Sequence, residues 1–85
     1  MEYQLHKNFI KSYRKFSNKL QKAVKEKLIL FCSNPFLKDL NNHSLTGKYQ
    51  GYRSINITGD YRAIYKEKTE NYVIFVLLGT HSQLY

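Results

Sequence analysis

The sequence has one cysteine, one proline, no tryptophan and few acidic residues. A single cysteine, Cys32, excludes an intramolecular disulfide framework. No charged-then-apolar leader with a small-residue cleavage site opens the chain, so we expect it to be cytoplasmic. The longest apolar run is Tyr72 to Leu78, far short of the roughly 20 residues that span a bilayer as a helix. These absences argue against secreted and membrane proteins.

Metal and cofactor sites also lack the residues they require. Three scattered histidines, no paired carboxylates and no second cysteine form no set of metal ligands. No glycine-rich nucleotide-binding loop is present, so we expect neither a metal nor a cofactor. Cys32 follows the apolar Phe31, and we interpret it as a small buried hydrophobic side chain rather than a nucleophile. His6 lies outside every motif and is interpreted as a solvent-exposed side chain.

What the chain has in excess is positive charge. Its 85 residues predict one domain, residues 1–85, and 42% hydrophobic residues are enough for a packed core. Fourteen Lys and Arg against six Asp and Glu give a net charge of +8, and residues 1–34 hold eight of the basic and two of the acidic side chains. Such an excess on a small surface predicts a polyanionic partner. A soluble helix with a lysine-rich face is the alternative for the N-terminal region alone.

The N-terminal third predicts two helices after a short strand around Tyr3 and Leu5. Apolar residues recur there at intervals of three or four, which is typical of one face of a helix. Ser17 and Asn18 are poor inside a helix but good caps, so we predict helices over residues 8–16 and 18–32. Pro35 ends the second helix region, because the residue before a proline is pushed away from helical geometry. The two helices are expected to form a basic hairpin.

The remaining chain predicts an antiparallel meander of three strands, over Tyr49 to Ile57, Tyr61 to Lys66 and Tyr72 to Leu78. Thr58 to Asp60 and Lys68 to Asn71 supply the turns. The last strand is apolar on both faces and is therefore expected in the interior of the sheet. The predicted fold class is α+β, with the N-terminal basic helical hairpin packed on a small antiparallel β-sheet.

Side chains capable of chemistry follow the helices in four clusters, each containing one of the four glycines. The clusters are Asn42 to Gly47, Gly51 to Arg53, Gly59 to Tyr65 and Gly79 to Tyr85. Taken alone, each glycine is best explained by an ordinary turn. Asp60 alone could be a turn residue, Arg62 a surface cation and Tyr85 a frayed terminus.

Together, in this order and spacing, the clusters resemble the RelE superfamily of bacterial toxins and its YafQ-like branch. The resemblance is carried by three motifs: His43-x-Leu45-x-Gly47, Gly51-Tyr52-Arg53 and Gly79-Thr80-His81-Ser82. It implies a RelE-like microbial ribonuclease fold and a toxin of a type II toxin-antitoxin pair. Such a toxin cleaves messenger RNA on the translating ribosome, contacting 16S and 23S ribosomal RNA, without a metal. A cognate RelB- or DinJ-like antitoxin silences it.

The resemblance also implies roles for individual residues. His43, Asp60 and His81 fall on acid–base positions, Arg62 on the position of a phosphate-binding arginine, and Tyr85 on that of a C-terminal aromatic residue. Metal-free RNA cleavage needs a base for the ribose 2′-hydroxyl, an acid for the leaving oxygen and a cation for the phosphate. We expect His81 to be the acid, and either His43 or Asp60 to be the base. The side chains expected to contact RNA are Lys48, Arg53, Asn56 and Tyr61, with Lys11, Lys15, Lys19 and Lys22 from the helices.

Two positions depart from the family pattern. The YafQ-like branch usually has a histidine where this chain has Asn56, and a tryptophan where it has Tyr61. An asparagine can form hydrogen bonds but cannot exchange protons, whereas a tyrosine can still stack on a base. The alternative to an endoribonuclease is therefore a non-catalytic protein that binds RNA, the ribosome or an antitoxin through a weakened site. A DNA-binding protein is less well supported, because no helix-turn-helix is recognisable.

Overall fold

The computed structural model describes residues 1–85 and has a five-stranded sheet with three α-helices. The elements in chain order are β1 (Glu2–Leu5), α1 (Lys7–Arg14), α2 (Asn18–Ser33), β2 (His43–Ser44), β3 (Arg53–Thr58), β4 (Tyr61–Thr69), β5 (Tyr72–Thr80) and α3 (His81–Leu84). Single 3₁₀ turns occupy Lys38–Leu40 and Gly47–Tyr49. None of the helices is long and apolar enough to cross a membrane. The α+β class predicted from the sequence is confirmed.

The sheet has the strand order β1-β5-β4-β3-β2. Strands β3 to β5 pair antiparallel, as the meander predicts. The unpredicted strand β2 adds antiparallel to β3 at one edge, and β1 adds parallel to β5 at the other. β1 and β5 come from opposite ends of the sequence, so no hairpin turn joins them and no local signal predicts their pairing. β5 has a neighbour on both sides, in agreement with its continuous apolar sequence.

The two N-terminal helices begin at side-chain caps. Ser17 accepts a hydrogen bond from the Leu20 amide at 3.2 Å and so begins α2, as the sequence predicts. His6 caps α1 in the same way, because its Nδ1 accepts from the Asn8 amide at 3.1 Å. The histidine interpreted as a solvent-exposed side chain is half-buried and has this structural role.

The helical hairpin covers one face of the sheet, here called the first face. Phe9 of α1 and Val24, Leu28 and Phe31 of α2 are buried in one cluster with the apolar side chains of β3, β4 and β5. The Phe31 ring lies 5.1 Å from that of Phe75 in an edge-on contact. Cys32, next to this cluster, is half-buried and unpaired.

Alternation along the strands places another set of side chains on the opposite side, here called the second face. Residues directly opposite each other in neighbouring strands point the same way. The second face therefore carries the cross-strand pairs His43–Ser54, Ser54–Ile64, Asn56–Arg62 and Arg62–Gly79. Helix α3 folds back over it at Gly79.

The stretch before β3 differs from the prediction. Residues 49–52, expected in a strand, lie in and after the 3₁₀ turn, and β3 begins at Arg53. Gly47 and Gly51 have φ values of 66° and 91°, which are incompatible with extended strand geometry. His43 and Ser44, placed in a loop by the sequence, form the short edge strand β2.

Candidate functional site

The β3–β4 turn and the start of α3 meet at one end of the sheet. The amide of His81 donates a hydrogen bond to the carbonyl oxygen of Asp60 at 3.0 Å. Arg62 lies opposite Gly79 in the register of β4 and β5. Two segments about 20 residues apart in the chain therefore bring together three of the predicted catalytic residues: an acid or base at Asp60, a cation at Arg62 and a histidine at His81.

Helix α3 is a short but well-capped element that positions two of the predicted residues. Its Thr80 hydroxyl accepts from the Gln83 amide at 3.2 Å, and the Gln83 side chain accepts from the Thr80 amide at 2.8 Å. The His81 and Tyr85 rings, four residues apart, lie with centroids 4.6 Å from each other. This helix was not predicted, although the spacing Thr80-x-x-Gln83 is the signature of a capping box.

Gly79 lets α3 approach the sheet closely. A Cβ atom at this position would lie 3.0 Å from Oε1 of Gln83, and 3.5 and 3.6 Å from two atoms of Leu84. Gly79 is buried, and so is Leu84, which is 8% exposed. Gly79, two residues before His81, therefore allows α3 to pack closely onto the end of β5.

Arg62 is half-buried and held by the turn that precedes it. Its Nη1 donates to the carbonyl oxygens of Gly59 at 2.9 Å and Tyr61 at 3.0 Å. Both bonds use the same terminal nitrogen, so Nη2 can still donate to a phosphate oxygen. The backbone of the turn thus fixes the direction of the guanidinium.

Two polar atoms on the second face are buried without a hydrogen-bond partner. They are Oδ1 of Asn56 and Oγ of Ser54. Asn56 is the cross-strand neighbour of Arg62, and Ser54 is that of His43. An unpaired buried acceptor costs about 1–3 kcal/mol. These two atoms lie on β3 between the predicted histidine and the predicted arginine, and no group of the protein forms a hydrogen bond with them.

His43 is exposed and lies away from His81. Its Nδ1 is 2.8 Å from the carbonyl oxygen of Asn41. A carbonyl only accepts, so Nδ1 carries the proton and Nε2 of the neutral ring is the acceptor. Strands β2 and β5 are three inter-strand steps apart, roughly 14 Å, so His43 does not join the cluster around His81.

Arg53 belongs to a hydrogen-bonded network on the first face. Its Nε donates to Oδ1 of Asn42 at 2.8 Å, and Nδ2 of Asn42 donates to the Tyr65 hydroxyl at 2.7 Å. The Arg53 guanidinium lies 5.4 Å from the centre of the Phe36 ring. Burial raises the pKa of the Tyr65 phenol, and the bond from Asn42 offsets part of this rise. The contact of Arg53 with RNA stays a prediction, and the sequence did not reveal this network.

The other residues predicted to contact RNA are dispersed. Tyr61 is half-buried, with its ring edge-on to Phe16 at 5.3 Å. Lys48 places its ammonium 5.1 Å from the centre of the Tyr49 ring. The predicted lysines of the helical region are all exposed: Lys11, Lys15, Lys19 and Lys22.

The fold is that of small bacterial toxins. YafQ from Escherichia coli strain BL21(DE3) superimposes with a TM-score of 0.78 at 22% identity, over 98% of this chain and 96% of the other. A copper-bound mutant toxin from Helicobacter pylori has a TM-score of 0.72 at 26% identity, over 100% and 99%. A structure of the Escherichia coli DinJ–YafQ complex has a TM-score of 0.67 at 25% identity, over 98% and 96%.

A family model places the chain more narrowly. The model of YafQ, the bacterial toxin of a type II toxin-antitoxin system, matches residues 1–85. The chain therefore belongs to the YafQ toxin family, as the motifs predict. No curated protein matches it in sequence.

Proposed function

We propose that this protein is a ribosome-dependent endoribonuclease that cleaves translated messenger RNA without a metal and thereby inhibits translation. The observation that carries the proposal is the hydrogen bond from the His81 amide to the Asp60 carbonyl, at 3.0 Å. It fixes a proton-exchanging histidine next to a carboxylate residue, with Arg62 on the adjacent strand position. Membership of the YafQ toxin family and the net charge of +8 support the same function.

The residues present can supply each part of the reaction. A base takes the proton of the ribose 2′-hydroxyl, and the 2′-oxygen attacks the phosphorus. The bond from phosphorus to the 5′-oxygen breaks, and an acid gives that oxygen a proton. The products are a 2′,3′-cyclic phosphate and a 5′-hydroxyl. In this scheme His81 is the acid, and Arg62 stabilises the charge on the phosphate.

The placement of the two candidate bases favours Asp60 over His43. Asp60 is joined to His81 through the backbone, whereas His43 lies across the sheet, where it can contact a neighbouring nucleotide. With Asp60 as base, His43→Ala weakens cleavage less than Asp60→Asn does. A greater loss in His43→Ala than in Asp60→Asn would assign the base role to His43 instead.

An antitoxin is the second proposed partner. The structure of the Escherichia coli relative in complex with DinJ and that of Staphylococcus aureus YoeB with YefM show such pairs for those proteins. Here the basic surface favours an acidic or amphipathic segment. Co-expression of this toxin with a DinJ-like antitoxin should abolish growth arrest, and the two chains should elute together in gel filtration.

Growth arrest and mapped RNA ends test the proposed activity. The toxin is expressed from a tight inducible promoter, and 5′ ends of a reporter message are mapped with and without its start codon. We expect the wild type to cut only the translated message. His81→Ala should make no cuts, whereas Ser82→Ala, a matched change at the next residue of α3, should cut as the wild type does. Soluble His81→Ala protein that still cuts would overturn the assignment of the acid.

The second candidate function is binding without cleavage. It is favoured by Asn56, which stands where the family usually has a histidine and cannot exchange protons. In that case ribosome binding is retained, no message is cut, and His81→Ala arrests growth as the wild type does. The same mapping experiment separates the two functions.

A further inference from the structure

Tyr49 connects the 3₁₀ turn before β3 to the C-terminal helix. Its hydroxyl donates to the carbonyl oxygen of Leu84 at 2.7 Å, across 35 residues of sequence. Its ring stands edge-on to the Tyr85 ring, with centroids 5.6 Å apart and planes at 88°. Tyr85 in turn packs on His81. One side chain thus contacts both the backbone of α3 and Tyr85, the aromatic residue that follows it.

Helix α3 needs such a contact. It has four residues, far fewer than the roughly 12–15 at which an isolated helix becomes even marginally stable in water. Its first turn is held by the Thr80–Gln83 capping box and by packing at Gly79. The carbonyls of a last helical turn lack partners within the helix, and Tyr49 supplies one to Leu84.

Tyr49 is itself fixed in place. Its ring packs edge-on against Tyr52 at 6.3 Å and lies under the ammonium of Lys48 at 5.1 Å. Its carbonyl oxygen accepts from the Tyr52 amide at 2.9 Å. The hydroxyl is therefore presented to α3 by a half-buried and supported ring rather than by a mobile one.

We infer that Tyr49 is a positioning residue for RNA cleavage, which holds α3 so that His81 and Tyr85 face Asp60 and Arg62. This inference rests on the proposed endoribonuclease function. Tyr49 touches none of the reacting atoms and acts through Leu84 and Tyr85. The sequence assigned it to a strand and gave it no role.

The anchoring is tested by Tyr49→Phe, which removes the hydroxyl and keeps the ring. The readout is amide hydrogen exchange of Tyr85, whose amide donates to the His81 carbonyl at 2.9 Å. Loss of one hydrogen bond should accelerate this exchange about fivefold. Tyr52→Phe is the matched control, because it removes a hydroxyl from the neighbouring ring that packs on Tyr49, and it should leave the exchange unchanged. Unchanged exchange in Tyr49→Phe overturns the inference.

The catalytic sense of the anchoring is tested by single-turnover cleavage on programmed ribosomes. In Tyr49→Phe the rate constant at saturating toxin should fall about fivefold or more, while the toxin concentration giving half the maximal rate stays the same. Faster exchange with an unaltered rate constant overturns the positioning role. Failure of the wild type to cleave overturns the endoribonuclease proposal instead. The two outcomes are distinguishable, because the faster amide exchange of Tyr85 in Tyr49→Phe does not depend on cleavage.

Discussion

Among single residues, His81 and Asn56 matter most for the proposed cleavage. The backbone bond to Asp60 fixes where the His81 side chain starts, and the ring of Tyr85 lies 4.6 Å away. Asn56 lies opposite Arg62 with a buried, unpartnered Oδ1. The site therefore has one histidine in its cluster where the family usually has two, and we expect the reaction to be slowed at Asn56.

Asn56→His should raise the cleavage rate constant about tenfold, because a histidine can exchange protons at neutral pH. Binding to the ribosome should be unaltered, since the change adds no fixed charge. The measurement is single-turnover cleavage at saturating toxin, with Asn56→Gln as the control that enlarges the side chain without adding a titrating group. Equal rates for the histidine and glutamine variants would show that this position takes no part in proton transfer.

Tyr65 makes the free energy of unfolding depend on pH in the alkaline range. Burial raises its pKa above the ordinary value of 10.0, so its contribution to stability is complete below pH 10 and is lost as the pH rises through the raised pKa. Burial also raises the pKa of Tyr3. The free energy of unfolding of the wild type should therefore fall above pH 10.

In Tyr65→Phe this fall should be smaller, because the phenol that loses stability on ionising is gone. At neutral pH the variant should lose about 1 kcal/mol, the worth of the bond from Asn42. Urea unfolding at pH 7 and at pH 10 to 11 measures both effects. Parallel pH profiles for the variant and the wild type would contradict the assignment.

The second helix illustrates how single caps control whole elements. Ser17 accepts from the Leu20 amide, and α2 carries three core residues as well as Lys19 and Lys22, two of the lysines predicted to contact RNA. Ser17→Ala should lower the free energy of unfolding by about 1 kcal/mol, as cap removal does elsewhere. Ser17→Asp should keep the stability, because it retains an acceptor and adds negative charge at a helix N-terminus. Urea unfolding checks both, and equal loss in the two variants would rule out the cap.

Elements with a local signal were predictable, and those made by distant contacts were not. The Ser17 cap and Pro35 marked α2 to within one residue at its C-terminal end, and the Thr58–Asp60 turn marked β3 and β4. The parallel β1–β5 pair joins opposite ends of the chain, with Glu2 beside Tyr72. The two-residue strand β2 pairs with β3 across the 3₁₀ turn Gly47–Tyr49 and is too short to leave a periodic signal. For the same reason the local sequence clusters allow roles to be predicted for His43, Asp60 and His81, whereas the Tyr49 bond to α3 and the Arg53–Asn42–Tyr65 network could not be predicted.

The whole molecule combines a basic exterior with a site at one end of its sheet. All four predicted RNA-contacting lysines of the helical region are exposed. Replacing Lys11, Lys15, Lys19 and Lys22 by Gln lowers the net charge from +8 to +4 and should weaken RNA binding. Because each phosphate contact contributes about 0.7 to the slope of log K against log salt for single strands, the slope should flatten by up to about 3.

The control for this variant removes the same charge at lysines that are not predicted to contact RNA, by replacing Lys25, Lys27, Lys38 and Lys68 with Gln. Filter binding to a single-stranded RNA, at salt concentrations from about 50 to about 300 mM, measures both slopes. If Lys11, Lys15, Lys19 and Lys22 bind the RNA, the control should show a smaller change in slope. Equal flattening in the two variants would mean that only the total charge matters.

The cluster of Asp60, Arg62 and His81 is proposed to cut translated message. This proposal is tested by mapping the 5′ ends of a reporter RNA with wild type, His81→Ala and Ser82→Ala, with and without translation. We expect 5′-hydroxyl ends on translated message for the wild type and Ser82→Ala, and none for His81→Ala. Folded wild-type protein that binds ribosomes and leaves the message intact would contradict it.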